Sequence, residues 1–389
     1  VKETVERRRG EPSAAARDEG VPARAAPLTP LRSVQYPDLG ATVHLGSVPD
    51  GLADELPALY ESLFSTLDWF LLQEHRVPNG ACVLEEPRHV VLFWRKGVTA
   101  HILNKAFHCE PADANRIRAA LFRAMPGVRC LRLDVMFPPE ALTFPFLVRG
   151  FADCMVIDLP ESVDAYYHSL SKNTRKNVRR RQNQLARDFP GLSTEMVSPG
   201  ERSQELVDRL VGWKVERFRR KGLLAHWELD PASRRRAGAL LRSCGQALVT
   251  SVDGEEVGIQ LTFRVGDTAY AFQNGIDPRF EAYSLGFLTF YRLVCHAIET
   301  GAKRVNALDT YESSKRPLGA HPVRTSSLSV FRSRLSQLRS PREMRSIARE
   351  RYWLARHALG QWLRRSPRGM RLAAAITRFR LRRFSSDGG

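Results

Sequence analysis

Residues 248–309 read LVTSVDGEEVGIQLTFRVGDTAYAFQNGIDPRFEAYSLGFLTFYRLVCHAIETGAKRVNALD, and this stretch decides the fold. Leu248–Val252 and Val257–Arg264 are β-branched, apolar runs joined through Asp253-Gly254. Val265-Gly266-Asp267 then leads into Thr268–Ile276. Tight Asp/Gly connections between such runs are strong local hairpin signals, so the spacing predicts a three-stranded antiparallel meander. A loop, Asp277–Ser284, precedes a helix from about Leu285 to Thr300, which Gly301 stops as a left-handed C-terminal residue. The short run Val305–Leu308 reads as a further strand ending at Asp309.

Upstream of the meander, 203–221 and 231–245 have helical periodicity, with Leu206, Leu210, Trp213 and Phe218 on one side of the first. Tyr166 to Phe189 reads as one long helix opened by Ser169-Leu-Ser171 and ended by Pro190-Gly191. Leu170, Val178, Leu185 and Phe189 share a face, and Lys172, Lys176, Arg179 and Arg180 lie off it. Further back, 52–72 has a helical period, 112–125 is a second helix, and strand-like runs fall at 81–84, 89–94, 100–104, 129–135 and 154–159. The fold class is therefore α+β. The expected organisation is a disordered leader (1–33), an N-terminal half (34–168), a basic linking helix (169–190), a C-terminal domain (191–335) and a basic amphipathic tail (336–389). The leader is rich in Ala, Pro, Arg and Glu and lacks the apolar residues that offset ordering entropy.

The chain carries 60 Lys and Arg against 42 Asp and Glu among 389 residues, a net charge of +18. Hydrophobic residues at 43% and charged residues at 26% exclude wholesale disorder. Residues 171–190 hold seven cations and one anion, and 336–389 hold fourteen and three, which accounts for 17 of the +18. The body is nearly neutral, and the basic character belongs to two segments. Six cysteines without a C-x-x-C pair point to buried thiols rather than a zinc site or disulfide framework. The N-terminus has no signal-peptide stretch, and no apolar run is long enough to span a bilayer, so the expected location is cytoplasmic.

Three antiparallel strands, a loop, a helix and a further strand resemble the core of the GNAT acyltransferases. In that fold the loop and the helix N-terminus hold an acyl-CoA pyrophosphate on free N–H groups and the helix dipole. Here Tyr283-Ser284-Leu285-Gly286-Phe287 takes that place, with Arg279 just upstream. More narrowly, the chain resembles the FemAB-like branch and, within it, the CelD/BcsL acetyltransferase-domain family. His168-Ser-Leu-Ser-Lys-Asn-Thr-Arg-Lys-Asn-Val-Arg-Arg180 is similar to that family's S-x-x-x-R-x-N-[IL]-R-[RK] helix. The stretch from Tyr283-Ser-Leu-Gly286 to Gly301-Ala-Lys-Arg-Val-Asn-Ala-Leu-Asp309 is similar to its S-P-G opening, with Leu285 in place of Pro, and to its G-x-x-x-x-D closing. The resemblance covers roughly 40–335 and implies tandem GNAT-like domains, each a mostly antiparallel sheet flanked by helices.

The resemblance implies N-acyl transfer from acyl-CoA or acetyl-CoA, used as co-substrate, to an amine in envelope, polysaccharide or lipid biosynthesis. No permanently bound cofactor or metal is implied. Ser284, Gly286, Phe287 and Arg279 are the expected CoA contacts. Asp309 is the first candidate for general base or amine anchor, and a strand-end Asp is as often a turn cap. Glu312 and Tyr311 follow as relay base and thiolate acid, or as exposed loop. Ser171, Arg175, Arg179, His226 and Lys315 are candidate substrate contacts. Against that, Ser171 is a natural N-cap, Arg175 and Arg179 are neighbours on a solvated helix face, His226 beside Trp227 suits packing, and a loop Lys is usually solvated. The tail, with Trp353 and Trp362 among arginines, suits anionic lipid, an inert extension or, third, nucleic acid. A FemAB-type enzyme using aminoacyl-tRNA and a noncatalytic GNAT-scaffold protein binding membrane or nucleic acid are the alternatives.

Overall fold

A computed structural model describes residues 31–74, 76–105, 109–220, 230–308, 315–341, 343–349 and 351–352. The expected meander is present as β9 (Gly245–Val252), β10 (Glu255–Val265) and β11 (Thr268–Ile276), paired antiparallel in that order. Asp253 (φ 50°) and Gly254 (φ 85°) both take the left-handed conformation that a two-residue hairpin turn demands.

The first half runs β1 (Arg32–Tyr36), β2 (Ala41–Leu45), a short α1 (Leu56–Tyr60), β3 (Gly80–Leu84), β4 (His89–Lys96), β5 (Thr99–Ile102), α2 (Pro111–Ala124), β6 (Cys130–Val135) and β7 (Phe146–Asp158). Then come α3 (Val163–Ser169), α4 (Lys172–Asp188), β8 (Leu192–Val197), α5 (Ser203–Arg220) and α6 (Pro231–Cys244). After β11 follow α7 (Leu285–Glu299), β12 (Arg304–Asn306), β13 (His321–Phe331) and α8 (Arg334–Leu338). All thirteen strands form one sheet in the order β1-β2-β3-β4-β5-β6-β13-β7-β12-β11-β10-β9-β8.

The two halves repeat one plan: strand, helices, antiparallel meander, helix, and a strand returning parallel to the meander's last member. The parallel pairs are β5·β6 and β11·β12, and the remaining pairs are antiparallel. Each half then lends its final strand to the centre. β7 lies between β13 and β12, and β13 lies between β6 and β7.

Three apolar clusters cover the sheet. One packs α2 against β2–β6, and one packs α3, α4 and α7 against β7 and β9–β12. The third joins the halves on the opposite face, where Phe64 meets Tyr270 edge-on at 5.8 Å and Trp69 meets Phe272 at 6.1 Å.

Several local expectations change. The stretch 52–72 is not one helix but 3-10 turns, α1 and a π-helical turn at Trp69–Gln73. Pro57 starts α1 and a left-handed Glu61 (φ 47°) ends it, while Leu56, Leu63, Phe64 and Phe70 still point inward and mimic a helical period. The long helix 166–189 is two, because Ser171 is extended (ψ 151°) and caps α4 by accepting from the Thr174 N–H at 3.2 Å. β7 is thirteen residues rather than a short run at 154–159, since buried Arg149 is ion-paired and so permitted inside a sheet. The start of the tail packs on the body through Glu343 and Ile347. No helix among the described residues is long and apolar enough to cross a membrane. None of the six cysteines forms a disulfide, and burial pushes the thiols of Cys82, Cys109 and Cys130 up to about 12, which leaves them unreactive.

Candidate functional site

β11 and β12 share a parallel ladder for three residues only, Thr268–Tyr270 against Arg304–Asn306. β11 continues to Ile276 while β12 ends, so the two strands part. The parted segment of β11 runs into the turn at 278–283 and then into α7. Ser284 stands before α7 in the left-handed conformation (φ 54°), and its carbonyl accepts from the N–H groups of Phe287 at 2.9 Å and Leu288 at 3.4 Å. No side chain caps this helix and no acid lies in its first turn. Leu285, where the resembled family has Pro, turns into the core, and Gly286 carries no side chain. The N–H groups of Leu285 and Gly286 therefore meet no acceptor among the described residues. A bare, fifteen-residue helix start attracts an anion.

The equivalent helix of the first half is built for the opposite result. α2 opens on Glu110 and holds Asp113 in its first turn. Asp113 is already shared by Arg116 at 3.0 Å and His89 at 3.4 Å. Carboxylates occupy that dipole end, so of the two parting strand pairs only β11·β12 adjoins a helix start without an acid.

Two further groups converge on α7. Phe290, one turn beyond Gly286, is buried, and Lys315 Nζ lies 3.4 Å from the centre of its ring. Lys315 meets no carboxylate among the described residues, and burial drives its pKa down to about 7. The ring face favours the ammonium and offsets part of this, but loss of water is the larger effect. Arg181, on the buried stripe Thr174-Val178-Arg181-Leu185 of α4, places its guanidinium 5.9 Å from the Phe287 ring. Its Nε is buried without a partner, and burial followed by nearby Arg180 lowers its pKa.

A match to the acetyltransferase (GNAT) domain family spans residues 172–316, from the start of α4 through Lys315. The chain carries a GNAT acetyltransferase domain. The GNAT region thus takes in the parting strands, the bare helix start and the basic helix together. Among solved structures, FemX is similar over 74% of this chain and 98% of its own, with 12% identity and a TM-score of 0.54. A conserved protein of unknown function from Bacteroides thetaiotaomicron is similar over 72% of this chain and 96% of its own, with 12% identity and a TM-score of 0.50. At such identity the likeness is one of fold, a FemAB-like tandem GNAT architecture. No curated protein is significantly similar in sequence.

Within this GNAT frame the expected residues divide sharply. Ser284, Gly286 and Phe287 stand at the bare helix start. Arg279 does not reach it freely, because Asp277 at 2.8 Å and Glu255 at 2.5 Å already hold its guanidinium. Ser171 is a cap, and Arg175 donates to the carbonyls of His168 and Leu170, both at 2.8 Å, closing the end of α3. Arg179 is exposed on the outer face of α4. Asp309, Tyr311, Glu312 and His226 lie outside the described residues. The strand end leading to Asp309 is fixed, with Leu308 N–H donating to Asn306 Oδ1 at 2.8 Å. Arg181 was missed by sequence reasoning. The signal was available, since it is the one cation in register with Thr174, Val178 and Leu185.

Proposed function

We propose that this GNAT-type acyltransferase is an acyl-CoA-dependent N-acyltransferase. The carrying observation is the bare start of α7 after the parted β11, with Lys315 against Phe290 one turn further along the helix. On this reading the CoA pyrophosphate sits on the Leu285 and Gly286 N–H groups with Arg181 beside it, and the thioester enters the gap between β11 and β12. Asp309 orients the acceptor amine. As the amine nitrogen bonds to the thioester carbon it becomes strongly acidic, and a lysine poised near neutrality takes that proton. The C–S bond then breaks, and Tyr311 or Glu312 protonates the departing thiolate. The acceptor is an amine of an envelope sugar, peptide or long-chain base, and the enzyme works at the cytoplasmic face.

Purified protein should show a raised Tm with CoA and with acyl-CoA, and Gly286→Val should remove the shift, because an added Cβ fills the helix start 3.3 Å from Asn274 Oδ1. The aminoacyl-tRNA reading draws on one observation: Lys172, Lys176, Arg179 and Arg180 form an exposed row on α4 with no carboxylate partner among the described residues. Tight, salt-sensitive tRNA binding with no response to CoA would replace the first reading with the second. Mass spectrometry of envelope amines in a deletion strain identifies the acceptor.

A further inference from the structure

Beyond β13 the chain forms α8 and a helical run at 343–349 that straps across the sheet. Its inner side is firmly held. Glu343 accepts from Arg132 at 2.5 and 3.0 Å, from Arg149 at 2.5 Å and from the Ser329 hydroxyl at 2.6 Å, and Ile347 is buried beside it. Arg332, just ahead of α8, donates to the carbonyls of Phe122 and Met125 at 2.5 and 2.9 Å.

The outer side has no such cover. Leu335, Leu338 and Met344 are 54%, 79% and 40% exposed. They are three of the ten exposed large apolar side chains among the described residues and fall within ten consecutive positions, with Leu335 and Leu338 one turn apart on one face of α8. Arg334, Arg339, Arg345 and Arg349, interleaved with them along the chain, are exposed, without a carboxylate partner among the described residues.

We infer that this strap docks the protein on an anionic lipid bilayer. Leu335, Leu338 and Met344 enter the boundary between headgroups and acyl chains, and the four arginines meet lipid phosphates. Aliphatic tips rimmed by cations are what an interfacial surface requires. Other occupants fit worse. A second copy would set the same arginines against each other. Residues 353–389 hold nine cations and one anion, so folding them over the strap would put cations on cations. A nucleic acid would use the arginines and leave the aliphatic tips in water. The clamp at Glu343 makes the docking rigid, so the bilayer meets the body of the enzyme and not only a tail.

The test is flotation of the full chain with vesicles of phosphatidylcholine alone and of phosphatidylcholine mixed equally with phosphatidylglycerol. Binding is expected to the anionic vesicles and to fall as salt rises. Leu335→Ser with Leu338→Ser should lower the partition coefficient about tenfold, with Tm and the CoA-induced shift unchanged. Arg334→Glu with Arg339→Glu should remove the preference for anionic vesicles. Absence of vesicle binding, undiminished binding by the Leu pair, or a concentration-dependent dimer that the Leu pair abolishes would each overturn the inference. The CoA response is read separately, so it stands or falls by itself.

Discussion

Lys315 shows how one residue's surroundings set its chemistry. Its amine is half-buried against Phe290, and that burial lowers its pKa to about 7, whereas the unfolded chain holds the proton to about 10.5. Between those values the unfolded state binds more protons, so stability rises with pH over that window. Lys315→Met should flatten that rise in urea titrations run from pH 7 to 10, and should raise stability at pH 7. If Lys315 takes the amine proton, the same substitution also removes the limb near pH 7 from the pH profile of acyl transfer. Arg181 makes a related case. Its Nε is already buried without a partner, so Arg181→Met should leave the Tm of the free protein unchanged or higher, yet weaken CoA by about tenfold if the guanidinium meets phosphate. Calorimetric titration with CoA checks this.

Among elements, the break between α3 and α4 and the C-terminal strap turn on a few polar contacts. Ser171→Ala removes the cap of α4 and should cost about 1 kcal/mol in denaturant unfolding. The strap depends on Glu343, whose carboxyl is dehydrated yet kept below the usual range by Arg132, Ser329 and Arg149. That contribution is present above the ordinary carboxylate range and is lost as pH falls through the lowered pKa. Glu343→Gln removes the buried charge that Arg132 and Arg149 share, and should cost about 3–5 kcal/mol at neutral pH while flattening the acid limb of stability. The periodicity of 336–389 gave no hint of this anchor, because one acid in a basic run carries no label for the partners it will meet.

At the scale of the whole molecule the exchange of β7 and β13 governs behaviour. The two halves are related by plan but not separable, since each central strand is paired on both edges across the halves. Calorimetry should therefore show a single unfolding transition, and residues 191–335 expressed alone should not fold, lacking β7 beside β12 and β13. Two transitions, or a soluble folded fragment, would instead make 191–335 an independent domain.

The core of the second half was legible because its signals are local: Asp253-Gly254 turning a hairpin, Gly301 ending a helix, Leu285 to Thr300 keeping an apolar period. Those features act within a few residues of chain and are settled by steric and hydrogen-bonding rules that need no knowledge of the rest. They placed Ser284, Gly286 and Phe287 at the helix start, and they marked a charged helix at 171–190. They misplaced Arg279 and Arg175, because an arginine's charge says nothing about which acid or carbonyl folding brings beside it. Sequence by itself determined the meander, the helix and short strand after it, and the two seats of positive charge, and its family resemblance implied the tandem plan; β1, β2, β8 and β13 were not read from it. Only the tertiary structure decided that β7 and β13 change places, that Lys315 is half-buried on Phe290, and that Glu343 clamps the strap to Arg149 across 194 residues of chain. These are matters of exclusion of water and of through-space distance, and both exist only once distant segments have closed on one another.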